Sequence, residues 1–120
     1  MLVDTSVWID HFRRRNARQS DLLDSAQAWI HPFAIGELAC GSLSRRAEVL
    51  GLLEALPKVP LADHEEVLDF IGVQRLRGRG LGWVDVHLLA SARLANLPLW
   101  TLDRRLTSAA AELSLAPPAL

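Results

Sequence analysis

The sequence predicts an α/β protein, a three-layer α/β/α sandwich whose short, mostly parallel central sheet is covered by helices. Short apolar runs at 1–4 and 98–102 are typical of buried parallel strands, and each runs into an aspartate. A helical pattern follows each run. Strand and helix patterns also alternate along the rest of the chain, which favours a parallel sheet with helical crossovers.

The N-terminal half contains signals for two strands and four helices. Pro32 suits the first turn of a helix, where its missing N–H is not needed. Ser44 is a typical N-cap residue and is expected to begin the fourth helix. The pattern therefore predicts strands at 1–4 and 28–31 and helices over 6–14, 16–26, 32–41 and 44–56.

The C-terminal half continues the alternation. Asp63 and Glu66 have the spacing of a reciprocal N-cap pair, so a helix is expected to begin there. The Gly-x-Gly-x-Gly run at 78–82 follows a helix and not a strand, so it is interpreted as a flexible connection and not a nucleotide-binding fingerprint. The pattern predicts strands at 58–61 and 98–102 and helices over 63–76, 84–95 and 104–113.

The length of 120 residues is expected to form a single domain over 1–120. No apolar run is long enough for a membrane span, and Asp4 stands where the apolar core of a signal peptide would begin, so a cytoplasmic protein is expected. Cys40 lies in an apolar stretch and is expected to be a buried, inert thiol.

The charged residues give a mixed signal about nucleic acid. The net charge of −1 offers no bulk attraction to a polyanion. Twelve of the thirteen basic residues are arginines, mostly in clusters, and arginine suits bidentate phosphate contacts. For any one cluster alone, a solvated face is the favoured interpretation.

Four carboxylates stand where strands end or helices begin: Asp4, Glu37, Asp85 and Asp103. Asp4 and Asp103 follow strands, and ligands of open α/β sheets bind at that edge. Asp85 and Glu37 share helix faces with apolar residues, and burying an acid is costly unless something pairs with it. Each acid has a simpler role open to it. Taken alone, Asp4 or Asp103 is expected to be a helix N-cap. Asp85 could be a first-turn acid that interacts favourably with the helix dipole.

Taken together, the four acids favour a cation site. Four ionised carboxylates about 6 Å apart would repel by more than about 15 kcal/mol at an effective dielectric constant of about 20. This rivals the whole stability of a domain, roughly 5–15 kcal/mol. The cluster must therefore bind protons or cations, and a set of oxygen ligands without a neighbouring cysteine selects Mg²⁺ or Mn²⁺.

Four short motifs resemble those of PIN-domain ribonucleases, and in particular VapC-type toxins of bacterial toxin–antitoxin pairs. In chain order they are Asp4-Thr5-Ser6, Glu37-Leu38 with Gly41, Gly82-Trp83-Val84-Asp85 before Leu88-Leu89-Ala90, and Thr101-Leu102-Asp103. The resemblance implies a PIN-like fold and metal-dependent hydrolysis of RNA phosphodiester bonds. It also implies a homodimer inhibited by an antitoxin protein.

The resemblance also implies roles for individual residues. The four acids would be catalytic and hold Mg²⁺ or Mn²⁺, while Ser6 and Thr101 would orient carboxylates or bound water. Arg13 and Arg104 would position RNA, and Trp8 and Phe12 would face the antitoxin, although core packing is the default for both aromatics. Some relatives carry a further acid where this chain has Arg104-Arg105, which leaves open one metal ion or two.

Three alternatives remain open at this point. The chain could be a catalytically weak RNA- or partner-binding module, a nuclease acting on DNA, or a phosphatase using the same site. The four histidines have no zinc-site spacing, and His87 is expected at the surface or facing a partner. Trp83 and Trp100 are expected in the core.

Overall fold

The computed structural model describes residues 1–119, which contain two short strands and seven helices. In chain order these are β1 (Leu2–Val3), α1 (Thr5–Arg14), α2 (Ala17–Asp24), α3 (Pro32–Cys40), α4 (Arg46–Ala55), α5 (His64–Val73), α6 (Trp83–Ala95), β2 (Leu99–Trp100) and α7 (Arg104–Glu112). Over these residues no helix is both long and apolar enough to cross a membrane.

The sheet is narrow, parallel and centred on β1. β1 pairs with β2 in the register Leu2 to Leu99 and Val3 to Trp100. The predicted strands at 28–31 and 58–61 contribute only single parallel bridges, Leu2 to Trp29 and Ile30 to Lys58. Pro57 and Pro60 flank the last of these segments, and because proline has no N–H to donate, the ladder ends there.

Alternate residues of the two strands face opposite helical layers. Leu2 and Leu99 belong to a core cluster with residues of α5, α6 and α7, whereas Val3 and Trp100 belong to a second cluster with residues of α1–α4. Successive strand side chains point to opposite faces, so both faces of the sheet are buried under helices. This confirms the predicted α/β class.

Local capping signals were reliable where a side chain could reach a backbone N–H. Asp63 Oδ1 accepts a hydrogen bond from the Glu66 N–H at 2.8 Å, and Glu66 Oε1 accepts one from the Asp63 N–H at 3.1 Å. The expectation for Ser44 was wrong. α4 begins at Arg46, after Arg45 in a left-handed conformation (φ 54°) that makes no side-chain cap hydrogen bond.

Two expectations about the faces of α3 were also wrong. The helix buries Ala34, Ile35 and Leu38, so the opposite side faces solvent. Cys40, expected to be buried, is exposed, and Glu37 is exposed as well. Because α3 is apolar on nearly every side, its periodicity did not indicate which side the neighbouring helices would cover.

His31 is a buried N-cap whose hydrogen bond requires a neutral ring. Its side chain is fully buried, and Nδ1 accepts a hydrogen bond from the Phe33 N–H at 2.9 Å at the start of α3. Burial, assisted by the nearby His87, lowers the pKa of His31 to about 4. Protonation would place a charge in the core and remove the cap acceptor.

We expect the free energy of unfolding to fall as the pH drops from about 6.5, the usual histidine pKa, towards 4. A histidine with a lowered pKa in the folded state takes up its proton preferentially on unfolding, so its contribution is complete above 6.5 and is lost below it. The loss from His31 is about 3 kcal/mol. Urea unfolding at several pH values measures it. His31→Asn keeps a cap acceptor but removes the titrating ring, so its free energy of unfolding should change less between pH 6.5 and 4. The same pH dependence in the wild type and the variant would show that His31 is not the group responsible.

Candidate functional site

The carboxyl ends of β1 and β2 bring their two aspartates to the same edge of the sheet. Asp4 directly follows β1, and its N–H donates to the Trp100 carbonyl at 2.9 Å. Asp103 lies three residues beyond Trp100 and caps α7. The parallel register therefore produces the juxtaposition that the two strand–Asp–helix corners predicted.

Asp4 is the most constrained carboxylate of the site. It is 7% exposed, and its Oδ2 accepts hydrogen bonds from the Ser6 and Thr101 hydroxyls, both at 2.7 Å. The Ser6 N–H is a longer donor to the same oxygen, at 3.4 Å, so Asp4 is also the N-cap of α1. No side chain or backbone group within residues 1–119 donates to Oδ1.

The same two hydroxyls hold the segment after β2. The Leu102 N–H donates to Ser6 Oγ at 3.0 Å, and the Asp103 N–H donates to Thr101 Oγ1 at 3.0 Å. Each hydroxyl thus accepts one backbone hydrogen bond and donates its own proton to Asp4. Because both hydroxyls point at one carboxylate oxygen, the position of Asp103 depends on that of Asp4.

Asp85 lies in the first turn of α6, and its Oδ2 accepts the Gly82 N–H at 2.8 Å. Burial raises the pKa of Asp85, the Gly82 hydrogen bond opposes that rise, and the negative charges of Asp4 and Asp103 add to it. Asp85 is therefore close enough to Asp4 and to Asp103 for their charges to disfavour its ionised form. Such repulsion disfavours the fully ionised cluster in the absence of a cation.

Asp103 uses one oxygen in the same way. Its Oδ1 accepts the Leu106 N–H at 2.9 Å as the N-cap of α7. Asp4, Asp85 and Asp103 each engage a single carboxylate oxygen with a donor at a helix start, which leaves the other oxygen without a donor from residues 1–119. The capping roles considered for these acids are therefore compatible with a ligand role.

Glu37 contacts the start of α1. Its Oε1 accepts a hydrogen bond from the Thr5 hydroxyl at 2.7 Å, and Thr5 is the residue after Asp4. No role was predicted for Thr5, although it is the middle residue of the Asp4-Thr5-Ser6 motif. Within residues 1–119 no three histidine, cysteine, aspartate or glutamate side chains converge closely enough to hold a metal ion as they stand.

A cavity of about 590 Å³ lies beside Glu37, between α1, α3 and the segment that leads to α4. Phe12 and Arg13 line it, and Phe12 is 40% exposed. Trp8 is only 2% exposed and packs in the core, so its partner-facing role is not supported by its position. Arg104 lines a different groove, at the start of α7.

Two expectations about aromatic residues were wrong and one was confirmed. His87, expected at the surface, is 4% exposed, because every residue from Val86 to Ala92 of α6 is buried. Trp83, expected in the core, is 42% exposed beside the site and packs against the His87 ring at 4.6 Å. Trp100 is in the core as expected, and the Arg18 guanidinium lies over its ring at 4.8 Å.

Comparison with known proteins assigns most of the chain to one family. Residues 1–112 match the PIN domain. The chain is 50% identical over 117 residues to Ribonuclease VapC32 from two strains of Mycobacterium tuberculosis, covering 97% of this chain and 94% of the relative. It is 31% identical over 108 residues to Ribonuclease VapC1 of Methanocaldococcus jannaschii, covering 88% and 76% respectively.

We expect Thr101→Val to lower the free energy of unfolding by about 1–3 kcal/mol, because it leaves the buried Asp4 carboxylate and the Asp103 N–H each short of a partner. The matched control is Thr107→Val. Thr107 is exposed and its hydroxyl donates to the Asp103 carbonyl within the same helix, so its loss should cost less than about 0.5 kcal/mol. Urea unfolding measures both changes. Equal decreases in the free energy of unfolding would show that the hydrogen bonds of Thr101 to Asp4 and Asp103 stabilise the fold no more than the exposed hydrogen bond of Thr107 does.

Proposed function

The chain belongs to the PIN-domain family, and from this premise we propose that it is a VapC-type toxin, a metal-dependent endoribonuclease that hydrolyses RNA phosphodiester bonds. Two relatives named as VapC ribonucleases, one 50% identical over nearly the whole chain, support the reaction class. The observation that carries the proposal is the hydrogen-bonded junction of Asp4, Thr101 and Asp103 at the carboxyl edge of the sheet, with Asp85 near enough for both aspartates to contribute to its raised pKa.

The donor set fits a hard divalent cation. Asp4, Asp85 and Asp103 would hold Mg²⁺ or Mn²⁺ through the oxygens that their helix starts leave free. Glu37 is included as the fourth carboxylate. It accepts a hydrogen bond from the Thr5 hydroxyl, and Thr5 directly follows Asp4 in the chain. When bound, such a cation activates a water nucleophile and offsets the charge of the scissile phosphate.

The chain's own groups orient this set. Ser6 and Thr101 donate to one oxygen of Asp4 and so direct the other oxygen away from the protein's own donors. The Gly82 N–H does the same for Asp85. Ligands fixed in this way lose little conformational freedom when a cation or substrate binds, which is the advantage of a preorganised site.

We further propose that the cavity beside Glu37 receives a segment of the antitoxin. Phe12 and Leu38 make part of its wall apolar, and Arg13 adds a positive charge. Glu37 lines this cavity as well, so an occupant would contact a proposed catalytic carboxylate directly. A homodimer formed through apolar helix faces is also part of the proposal, with Leu68 and Val73 exposed on α5.

A second candidate is a catalytically weak RNA- or partner-binding module. It is favoured by one observation, the absence within residues 1–119 of three metal-ligating side chains that already converge. The two candidates differ in what a divalent cation does to the protein. The nuclease binds it through the aspartates, whereas the binding module is indifferent to it.

We expect the purified protein to cleave RNA with Mg²⁺ or Mn²⁺ and to be inactive in chelator. Asp103→Asn should lower kcat by on the order of 100-fold or more, because asparagine keeps the N-cap of α7 but removes the charge. Asp63→Asn is the matched control, since Asp63 also caps a helix, α5, but lies outside the site. Cleavage that persists in chelator, or equal losses in the two variants, would overturn the proposal.

We expect Asp85→Asn to stabilise the metal-free protein at neutral pH. The raised pKa of Asp85 means that its ionised form opposes folding, so the gain should shrink as acid protonates the wild-type carboxyl. Mn²⁺ should raise the Tm of the wild type and leave that of the variant nearly unchanged. Thermal melts with and without Mn²⁺ measure this, and a wild-type Tm indifferent to Mn²⁺ would favour the binding module.

A further inference from the structure

A shallow groove of about 320 Å³ lies beside the start of α7 and is lined by Arg79, Arg104, Arg105 and Ser108. We call it the arginine groove. One wall is the glycine-rich segment 78–82, and the other is the first turns of α7. Arg104 and Arg105 are adjacent in the sequence, but the fold is needed to bring Arg79 beside them.

Both walls of the arginine groove end at a carboxylate of the candidate site. The glycine-rich segment finishes at Gly82, whose N–H donates to Asp85 Oδ2 at 2.8 Å. α7 begins immediately after Asp103, its N-cap. The arginine groove therefore begins beside the aspartates, and an extended ligand that reaches them can continue into it.

The arginine groove carries a local excess of positive charge. Arg79 forms an ion pair with Glu112, the last residue of α7, which holds the Arg79 side chain towards that helix. Arg104 and Arg105 make no ion pair or side-chain hydrogen bond with any group in residues 1–119. Three guanidinium groups and one carboxylate leave a net charge of +2 beside an acidic cluster, in a chain whose total charge is −1.

The Arg105 side chain lies directly against the backbone of Gly80. A Cβ at position 80 would lie 2.8 Å from Arg105 Cδ and 2.9 Å from its Nε, closer than van der Waals contact allows. Gly80 also has a left-handed backbone (φ +75°). Gly78 has nearly the same backbone (φ +72°) but nothing within 4 Å of the position of its Cβ. Only Gly80 therefore allows an arginine to lie against bare backbone.

We propose that the arginine groove binds the phosphodiester backbone of the RNA on one side of the scissile bond. Arg104 and Arg105 contact phosphates, the Arg79–Glu112 pair forms a fixed wall, and Gly80 preorganises Arg105. Planar guanidinium groups suit phosphate oxygens, and the Ser108 hydroxyl is a further donor. The substrate class rests on the proposed function, but binding in the arginine groove does not require cleavage.

Binding of a labelled single-stranded RNA, followed by fluorescence anisotropy in EDTA over a range of salt concentrations, separates the groove from the chemistry. We expect Arg104→Gln with Arg105→Gln to weaken binding about tenfold. The slope of log K against log salt should fall by about 1.4, or about 0.7 for each phosphate that the variant no longer neutralises. The matched control is Arg45→Gln with Arg46→Gln, an exposed pair at the start of α4 with the same change in charge.

A pair of glycine variants tests the preorganisation of Arg105. Gly80→Ala and Gly78→Ala impose similar backbone strain, but only the first displaces the Arg105 side chain. We expect Gly80→Ala to weaken RNA binding severalfold and Gly78→Ala to leave it unchanged, with similar decreases of Tm in both.

Equal decreases of RNA affinity in the two arginine double variants would overturn the proposal that the arginine groove binds RNA. Equal decreases in the two glycine variants would overturn the proposed preorganisation of Arg105. Normal binding by the Arg104 and Arg105 variant, alongside cleavage that depends on Asp103, would overturn the groove and leave the nuclease intact. RNA binding that depends on the groove in a protein without metal-dependent cleavage would retain the groove and overturn the proposed function.

Discussion

The hydrogen bonds to Asp4 Oδ2 join the parts of the molecule on which the site depends. The carboxylate belongs to the residue that ends β1 and caps α1, and the Thr101 hydroxyl comes from the segment after β2, 97 residues further along the chain. Ser6 and Thr101 in turn accept the Leu102 and Asp103 N–H groups. Because the carboxylate is almost completely buried, each missing donor would cost the desolvation of a charged oxygen.

Helix capping and cation binding use different oxygens of the same aspartates. A cap hydrogen bond is worth about 1 kcal/mol and needs a single acceptor atom. The second oxygen of Asp4, Asp85 or Asp103 then points wherever the helix start directs it. The cap hydrogen bond of each aspartate therefore both stabilises the helix start and orients the candidate ligand. For this reason the N-cap signals in the sequence coincide with the candidate site.

The nearly neutral total charge conceals a separation of charge along one side of the protein. Asp4 and Asp103 lie at the sheet edge with their charges acting on Asp85, and the groove that contains Arg104 and Arg105 begins at the start of α7, next to Asp103. This arrangement suits a polyanionic chain that needs a cation at one phosphate and guanidinium contacts at its neighbours. A net charge summed over the whole chain does not reveal such an arrangement.

The sequence alone determined the α/β class, most helices and the positions of Asp4 and Asp103 after the two paired strands, because strand–Asp–helix corners and N-caps are local patterns. It could not determine which side of the uniformly apolar α3 is covered, so the exposure of Glu37 and Cys40 was unexpected. The burial of His87 and the seating of Arg105 on Gly80 likewise depend on elements distant in the chain. Tertiary packing alone decided these features, because each is a contact between segments whose local sequences carry no information about one another.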